Sequence, residues 1–261
     1  MGDIVLDNVW KEYGDQIVLE QISLTIAARA FVALVGPSGC GKTTFLKLLL
    51  GEEAPTSGSI TLDGVPLIAE PGPDRGVVFQ RYSVFPHLTV LGNVLLGKAF
   101  KASPLAARLF GSARRTAIEE ARQLIADVGL AGSEDKYPAQ LSGGMQQRLA
   151  LAQALIMHPK VLLLDEPFGA LDPGIKADMH ALITRLWTDY ALTVVMVTHD
   201  IREAFTLGTR VLTLDKRRHD PHAPHRFGAT AVYDLPLTRK KRVPVSARAE
   251  ASITLDDVRN N

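Results

Sequence analysis

Cysteine is almost absent. Cys40 is the only one in 261 residues, which excludes an intrachain disulfide. Long apolar runs are missing as well: Val161–Leu164 and Leu192–Val197 are of strand length, far short of the roughly 18 to 20 residues that span a bilayer. Any membrane role therefore needs a partner chain. Charge of one sign is not in excess either, with 29 Lys and Arg against 28 Asp and Glu and a net charge of +1. No field of that size holds a protein on nucleic acid or anionic lipid, and no nucleic-acid partner is expected. The start Met1-Gly2-Asp3-Ile4 lacks the basic and apolar regions of a signal peptide, so the cytoplasm is the expected compartment. There is no internal repeat and no heptad array, which argues against a solenoid or a coiled-coil arm.

What is present is a globular composition, 46% hydrophobic over a length that buries a large core. Gly36-Pro37-Ser38-Gly39-Cys40-Gly41-Lys42-Thr43-Thr44 fits G-x-x-x-x-G-K-[ST]. Phe31–Val35 before it reads as a buried parallel strand, and Thr44–Leu50 after it, closed by Gly51, as a helix. In that setting the motif is a phosphate-binding loop: glycines at 36, 39 and 41 let backbone N–H groups converge on phosphate oxygens, and Lys42 adds a mobile positive charge. The helix N-terminus faces the same anions, and the Thr43 hydroxyl is placed to hold Mg²⁺. Cys40, beside Lys42 and a helix N-terminus, is expected to favour the thiolate.

The rest of the chain alternates in a readable way. Ile4–Ile26, interrupted at Tyr13-Gly14, and Ser59–Leu62 with Asp63-Gly64 carry the period of half-buried antiparallel strands. Gly76–Phe79 reads as a buried strand ending at Gln80. From Val90 to Met157 the period becomes helical, with a basic connection over 101–115 and an amphipathic segment from Arg114 to Val128 closed by Gly129. Parallel α/β character resumes with Val161–Leu164, a helix through Lys176–Trp187, and the strand Thr193–Thr198. A last strand, Arg210–Leu214, leads into a tail. His219, His222 and His225 in that tail are separated by prolines that break any helix able to align them, so a polar loop is expected there rather than a metal site.

Two carboxylates, Asp165 and Glu166, stand just past the buried strand Val161–Leu164. In a parallel α/β sheet that edge binds ligands. Asp165 is suited to hold Mg²⁺ through water and Glu166 to polarise a water for attack on a γ-phosphate; alone, the pair also fits a solvated strand end. Leu141-Ser142-Gly143-Gly144-Met145-Gln146-Gln147 opens another helix, presenting Ser142, Gly143 and Gly144 at a second N-terminus. An ordinary capping serine also fits that stretch, as the lesser reading. Gln80 and His199 each follow a strand at the same edge, where a local hydrogen-bonding role is the plainer reading.

Taken together in this order, the phosphate loop, Gln80, the Leu141–Gln147 signature, Asp165-Glu166, Gly169-Ala170-Leu171-Asp172 and His199 resemble the ATP-binding subunits of ABC transporters over nearly the whole chain. The resemblance implies ATP and Mg²⁺ as cofactors. It also implies that Tyr13 stacks on adenine, that Gln80 links Mg²⁺ to a membrane partner, and that His199 contacts the γ-phosphate. A head-to-tail dimer would bring Ser142 and Gly144 to ATP held by the other protomer, with Asp172 along the seam. The implied partners are a transmembrane permease subunit, a second ATP-binding protomer and, indirectly, a solute-binding protein, at the cytoplasmic face of the membrane. Within the family, the stretch from Gln80 to Val90 resembles bacterial importers of the nitrate, sulfonate and taurine group. Tyr137-Pro138-Ala139-Gln140 and Tyr233–Leu237 resemble the urea-carboxylase-linked branch, which implies guanidine or urea as solute. Gly174 departs from the bulkier residue many members carry there.

The expected architecture is α/β: a P-loop NTPase core with a mostly parallel sheet (31–56, 69–86 and 158–215), an N-terminal antiparallel β subdomain (1–30 and 57–68), an inserted helical subdomain (87–157) and a C-terminal tail (216–261). A soluble ABC protein acting on ribosomes or DNA is the alternative, but that class usually carries two such domains or a long coiled coil. A kinase or GTPase on the same loop has no use for the signature.

Overall fold

The computed structural model describes residues 2–79, 84–102, 111–169, 171–218, 220, 222–223 and 225–237. Gln80 therefore lies outside the described residues, as do most of the tail, His219 and the prolines beside it.

Two sheets divide the strands. The first is antiparallel and contains β1 (Ile4–Tyr13), β2 (Gln16–Ile26), β4 (Ser57–Leu62) and the short β5 (Val65–Pro66), in the order β2-β1-β4-β5. The second contains β3 (Phe31–Val35), β6 (Arg75–Val78), β7 (Val161–Asp165), β8 (Thr193–Val197), β9 (Arg210–Asp215) and β10 (Thr230–Pro236), in the order β10-β9-β3-β8-β7-β6. All its pairings are parallel except β10 with β9. Helix α1 (Lys42–Leu50) follows β3. Helices α2 (Val90–Ala102), α3 (Gly111–Asp127) and α4 (Gly143–Leu155) form the inserted subdomain, and α5 (Pro173–Asp189) and α6 (Ile201–Leu207) connect β7 to β8 and β8 to β9.

The continuous apolar runs of the central strands are explained by cover on both faces. Successive side chains on a strand point to opposite sides. Phe31 and Ala33, Leu162 and Leu164, and Val194 and Met196 pack into a core with α4, α5 and the helical subdomain. Val32 and Leu34, Leu163, and Val195 and Val197 face a second core made with α1 and the antiparallel sheet. Helix α1 thus lies between the two sheets, with Phe45, Leu48 and Leu49 essentially inaccessible to solvent. A buried aliphatic side chain contributes roughly 1.5–3 kcal/mol, so these two layers dominate stability.

Three differences from the sequence reading stand out. Helix α3 starts at Gly111, inside the stretch read as a connection. Helix α6 has only seven residues, too few to show a period, and is set by its cap: Asp200 Oδ1 accepts from the Arg202 and Glu203 N–H groups. The tail contributes β10, which closes the large sheet as an antiparallel edge. Pro236 is tolerated in it because an edge strand needs donors on one side only. Among the described residues, no helix is long and apolar enough to cross a membrane.

Candidate functional site

The parallel register of β3, β8, β7 and β6 aligns their C-terminal ends. Leu34 is opposite Val197, Asp165 opposite Val197, and Val78 opposite Leu164. The loop after β3, the carboxylates at the end of β7 and the turn after β8 therefore share one sheet edge. The direction of the strands puts them there before any side chain is considered.

The loop from Gly36 to Gly41 is shaped by backbone that a Cβ would obstruct. Gly36 has φ 155°, and a Cβ there would lie 2.2 Å from Leu214 O and 2.8 Å from Cys40 Sγ. Gly41 has φ 95° and caps α1; a Cβ would meet Leu19 and Val18 of β2 at about 3 Å. No side-chain cap takes the first N–H groups of α1. Lys42 is buried and its Nζ donates to Gly36 O at 2.7 Å and Pro37 O at 2.8 Å, so the ammonium sits inside the curl of the loop. Pro37, Ser38, Gly39 and Thr43 are exposed, with Thr44 half-buried behind them. A helix N-terminus without a side-chain cap, next to an ammonium, is an anion site.

Cys40 corrects the sequence expectation. Its side chain is turned inward and buried, and desolvation pushes the thiol above its ordinary pKa. The Lys42 charge and a backbone N–H pull the other way but are smaller than the burial cost. The residue's place in the loop stands; a reactive thiolate does not.

At the end of β7 the chain makes a sharp change of direction. Glu166 has φ 47°, a conformation that costs a non-glycine residue on the order of 1–3 kcal/mol. Its N–H still donates to Val197 O at 3.0 Å, while its carbonyl accepts from Gly169 N–H at 3.2 Å. The strand thus keeps its last rung as the following backbone turns away. Asp165 is half-buried, and desolvation, reinforced by the neighbouring Glu166 charge, pushes its carboxyl up, with Lys42 acting against both. Together with the Thr43 hydroxyl, Asp165 supplies the hard oxygen donors that Mg²⁺ prefers, so this donor set fits the cation.

His199 is exposed at the end of β8, with Nδ1 3.4 Å from Glu166 Oε2. The turn that carries it is clamped on both sides. Thr198 Oγ1 donates to Glu203 Oε2 at 2.7 Å and accepts from Asp200 N–H at 3.0 Å. Glu203 is buried and also pairs with Lys176 Nζ at 3.2 Å, which joins α6 to α5. His180 lies beside this pair, edge-on to Phe168 at 4.5 Å between centroids, and burial lowers its pKa.

The signature residues occupy a different place. Ser142 caps α4, its Oγ accepting from Met145 N–H at 3.3 Å. Gly144 faces α5, where a Cβ would lie 3.0 Å from Ile175 Cγ2, and buried Gln147 donates to Pro167 O. Among the described residues, no hydrogen bond or ion pair joins Ser142, Gly143 or Gly144 to the phosphate loop of the same chain. Asp172, exposed, caps α5, and its carbonyl accepts from Lys176 N–H at 2.9 Å. Tyr13, at the end of β1, is 44% exposed and donates its hydroxyl to Glu53. Glu53, Thr198, Glu203 and Lys176 escaped the sequence reading, because nothing in their own neighbourhoods marks them.

Comparison with known proteins identifies the family and the fold. The sequence profile of the family described as "ABC transporter" matches residues 19–169. An aliphatic sulfonates import ATP-binding protein, SsuB of Yersinia pestis, is 41% identical over 96% of this chain and 83% of its own length. A bicarbonate transport ATP-binding protein, CmpD of Synechocystis sp., is 42% identical over 84% of this chain and 76% of its own. Among solved structures, the dimeric ABC transporter cassette MJ0796 superposes with a TM-score of 0.72 at 32% identity, covering 91% of this chain and all of that one. The same cassette in a post-hydrolysis state bound to ADP and Pi gives 0.70 at 31%, with the same coverage.

Proposed function

This chain belongs to the ABC transporter ATP-binding proteins and is an ATPase of that type, and from that premise we propose that it is the energy-supplying subunit of a solute importer. The observation that carries the proposal is the convergence of Lys42, Asp165, Glu166 and His199 on one sheet edge beside a glycine-shaped loop.

In this reading the loop N–H groups and Lys42 hold the β- and γ-phosphates, and Tyr13 stacks on the base. Glu166 accepts a proton from the attacking water. His199, within ion-pair distance of Glu166, holds the γ-phosphate and keeps the carboxylate oriented. Thr43, Asp165 and Gln80 would hold Mg²⁺, which when bound supplies electrostatic stabilisation of charge on the phosphates. Water exclusion falls to a second protomer: Ser142, Gly143 and Gly144, which among the described residues make no hydrogen bond to the phosphate loop of their own chain, would close over ATP bound by a partner, with Asp172 along the seam. The dimeric arrangement of the MJ0796 cassette supports this reading.

The relatives, one named for import and one for transport, support coupling to a permease subunit, with this chain held peripherally at the cytoplasmic face and a solute-binding protein acting upstream. The solutes in their names are aliphatic sulfonates and bicarbonate, which favours a small solute with an anionic group. The guanidine or urea reading rests only on the segments around Tyr137 and Tyr233. Deleting the gene and following uptake of labelled taurine, nitrate, bicarbonate, guanidine and urea tests both. Loss of taurine, nitrate or bicarbonate uptake alone supports the first solute class, loss of guanidine or urea uptake alone the second, and no change in any of them sinks the importer assignment for these solutes.

A further inference from the structure

Besides a side-chain interaction with Thr44 of the phosphate loop, the Tyr13 side chain has a further set of contacts with the segment that follows α1. Its hydroxyl donates to Glu53 Oε2. The same carboxylate pairs with Lys11 Nζ at 2.9 Å and, through Oε1, with Lys47 Nζ at 3.3 Å. Lys11 Nζ also donates to Ala54 O at 2.9 Å and stands 4.9 Å from the centroid of the Tyr13 ring, so an ammonium covers one face of the ring. Backbone stitches hold the same two segments together: Thr56 N–H donates to Trp10 O at 2.8 Å, and Glu12 N–H to Thr56 Oγ1 at 2.9 Å.

The topology gives these contacts their meaning. Tyr13 belongs to the antiparallel sheet, whereas the phosphate loop belongs to the parallel one. Lys47 lies in the last turn of α1, the helix that the phosphate loop opens, and Glu53 follows the Gly51 cap of that helix. One carboxylate therefore ties the ring on one sheet to the helix that carries the phosphate site on the other. Three partners on Glu53 hold its carboxyl down at about 2, so it is ionised throughout the physiological range and always able to accept from the phenol.

We propose that Glu53 is a positioning residue for the nucleotide base: by fixing the Tyr13 hydroxyl against Lys11 and Lys47 it sets the ring, before ATP arrives, at a constant place relative to the phosphate loop. The inference rests on Tyr13 being the base platform. Lys11 occupies one face of the ring, so the opposite face receives the base. Pre-ordering one aromatic side chain corresponds to about a three- to tenfold gain in affinity.

The test compares equilibrium binding of ATP with that of inorganic tripolyphosphate, which fills the phosphate loop and has no base. Variants of the full chain are Tyr13→Ala, Tyr13→Phe, Glu53→Ala and Glu53→Gln, each checked for folding by thermal melting. Tyr13→Phe and Glu53→Ala are expected to weaken ATP about three- to tenfold and to leave tripolyphosphate unchanged. Their double variant should be no weaker than either single one, and Glu53→Gln, which can still accept from the phenol, should recover part of the loss. Should Tyr13→Ala weaken ATP while Tyr13→Phe and Glu53→Ala bind it like the parent, the role of Glu53 is overturned and the platform reading stands. Equal weakening of ATP and tripolyphosphate in Glu53→Ala also overturns it, making Glu53 a brace of α1. If Tyr13→Ala itself binds ATP like the parent, both the platform reading and the inference fall. If Glu53→Ala does not fold, Glu53→Gln still decides: weaker ATP binding with tripolyphosphate unchanged supports the role of Glu53, and parent-like binding of both overturns it.

Discussion

His199 Nδ1 lies 3.4 Å from Glu166 Oε2, although the two residues end different strands and are held by different turns. Glu166 is presented by a left-handed backbone step after β7, and His199 by the Thr198–Glu203 clamp after β8. Their meeting follows from the parallel pairing of those strands, in which Asp165 stands opposite Val197.

If Glu166 is the base, Glu166→Gln keeps the shape and removes the proton acceptor. ATP binding should persist while turnover falls about 100- to 10,000-fold. Steady-state ATPase rates and equilibrium nucleotide binding, measured on the same preparation, check this. Parent-like turnover would remove Glu166 from the mechanism.

The Thr198 clamp makes a separate prediction. Thr198→Val is nearly isosteric but leaves buried Glu203 Oε2 and the Asp200 N–H without their shared partner. A loss of about 1–3 kcal/mol is expected. Turnover should drop with it, because His199 rides on that turn. Urea denaturation monitored by far-UV circular dichroism measures the first, and a parent-like midpoint would show that the clamp contributes nothing to stability.

Glycine substitutions distinguish what the chain needs for folding from what it needs for a partner. Gly36→Ala places a Cβ 2.2 Å from Leu214 O and should destabilise by roughly 3 kcal/mol. A Cβ at Gly143 meets nothing within 4 Å. Gly143→Ala should therefore stay within about 0.5 kcal/mol of the parent. An accompanying fall in ATPase activity would come from contact across a dimer seam. Full activity in Gly143→Ala would count against the trans site.

Cys40 is expected to resist thiol reagents. Burial and a raised pKa leave little exposed thiolate at neutral pH. Maleimide labelling should be slow in the native protein and complete in urea. Rapid native labelling, suppressed by Mg-ATP, would restore the reactive-thiolate expectation.

The pH dependence of stability carries the mark of Glu53. Its folded-state pKa is depressed to about 2, so the stability it contributes is present above the unfolded carboxylate value of about 4.3. That contribution is lost as pH falls through the window from about 4.3 to about 2. Parent and Glu53→Gln should differ in denaturation midpoint at pH 7, and the difference should shrink steadily as pH falls toward about 2. A constant difference across that window would show that the Tyr13 hydrogen bond and the Lys11 and Lys47 ion pairs contribute nothing.

Several features were legible in the sequence because they are local. The loop Gly36–Thr44 carries its own turn chemistry, and the runs Phe31–Val35, Val161–Leu164 and Thr193–Thr198 announce strands covered on both faces, so the sheet edge bearing Lys42, Asp165, Glu166 and His199 could be placed from spacing alone. Other features depend on contacts that sequence distance hides. Cys40 reads as activated from its chain neighbours, yet packing of its side chain into the core decides its chemistry, because desolvation exceeds the pull of Lys42. Tyr13 and Glu53 meet only because β1 and the segment after α1 are folded together, and β10 joins the sheet only because β9 offers it an open edge. A local motif sets what a residue can do; which partners, burial and field it experiences are non-local sums, and those only the tertiary structure supplies.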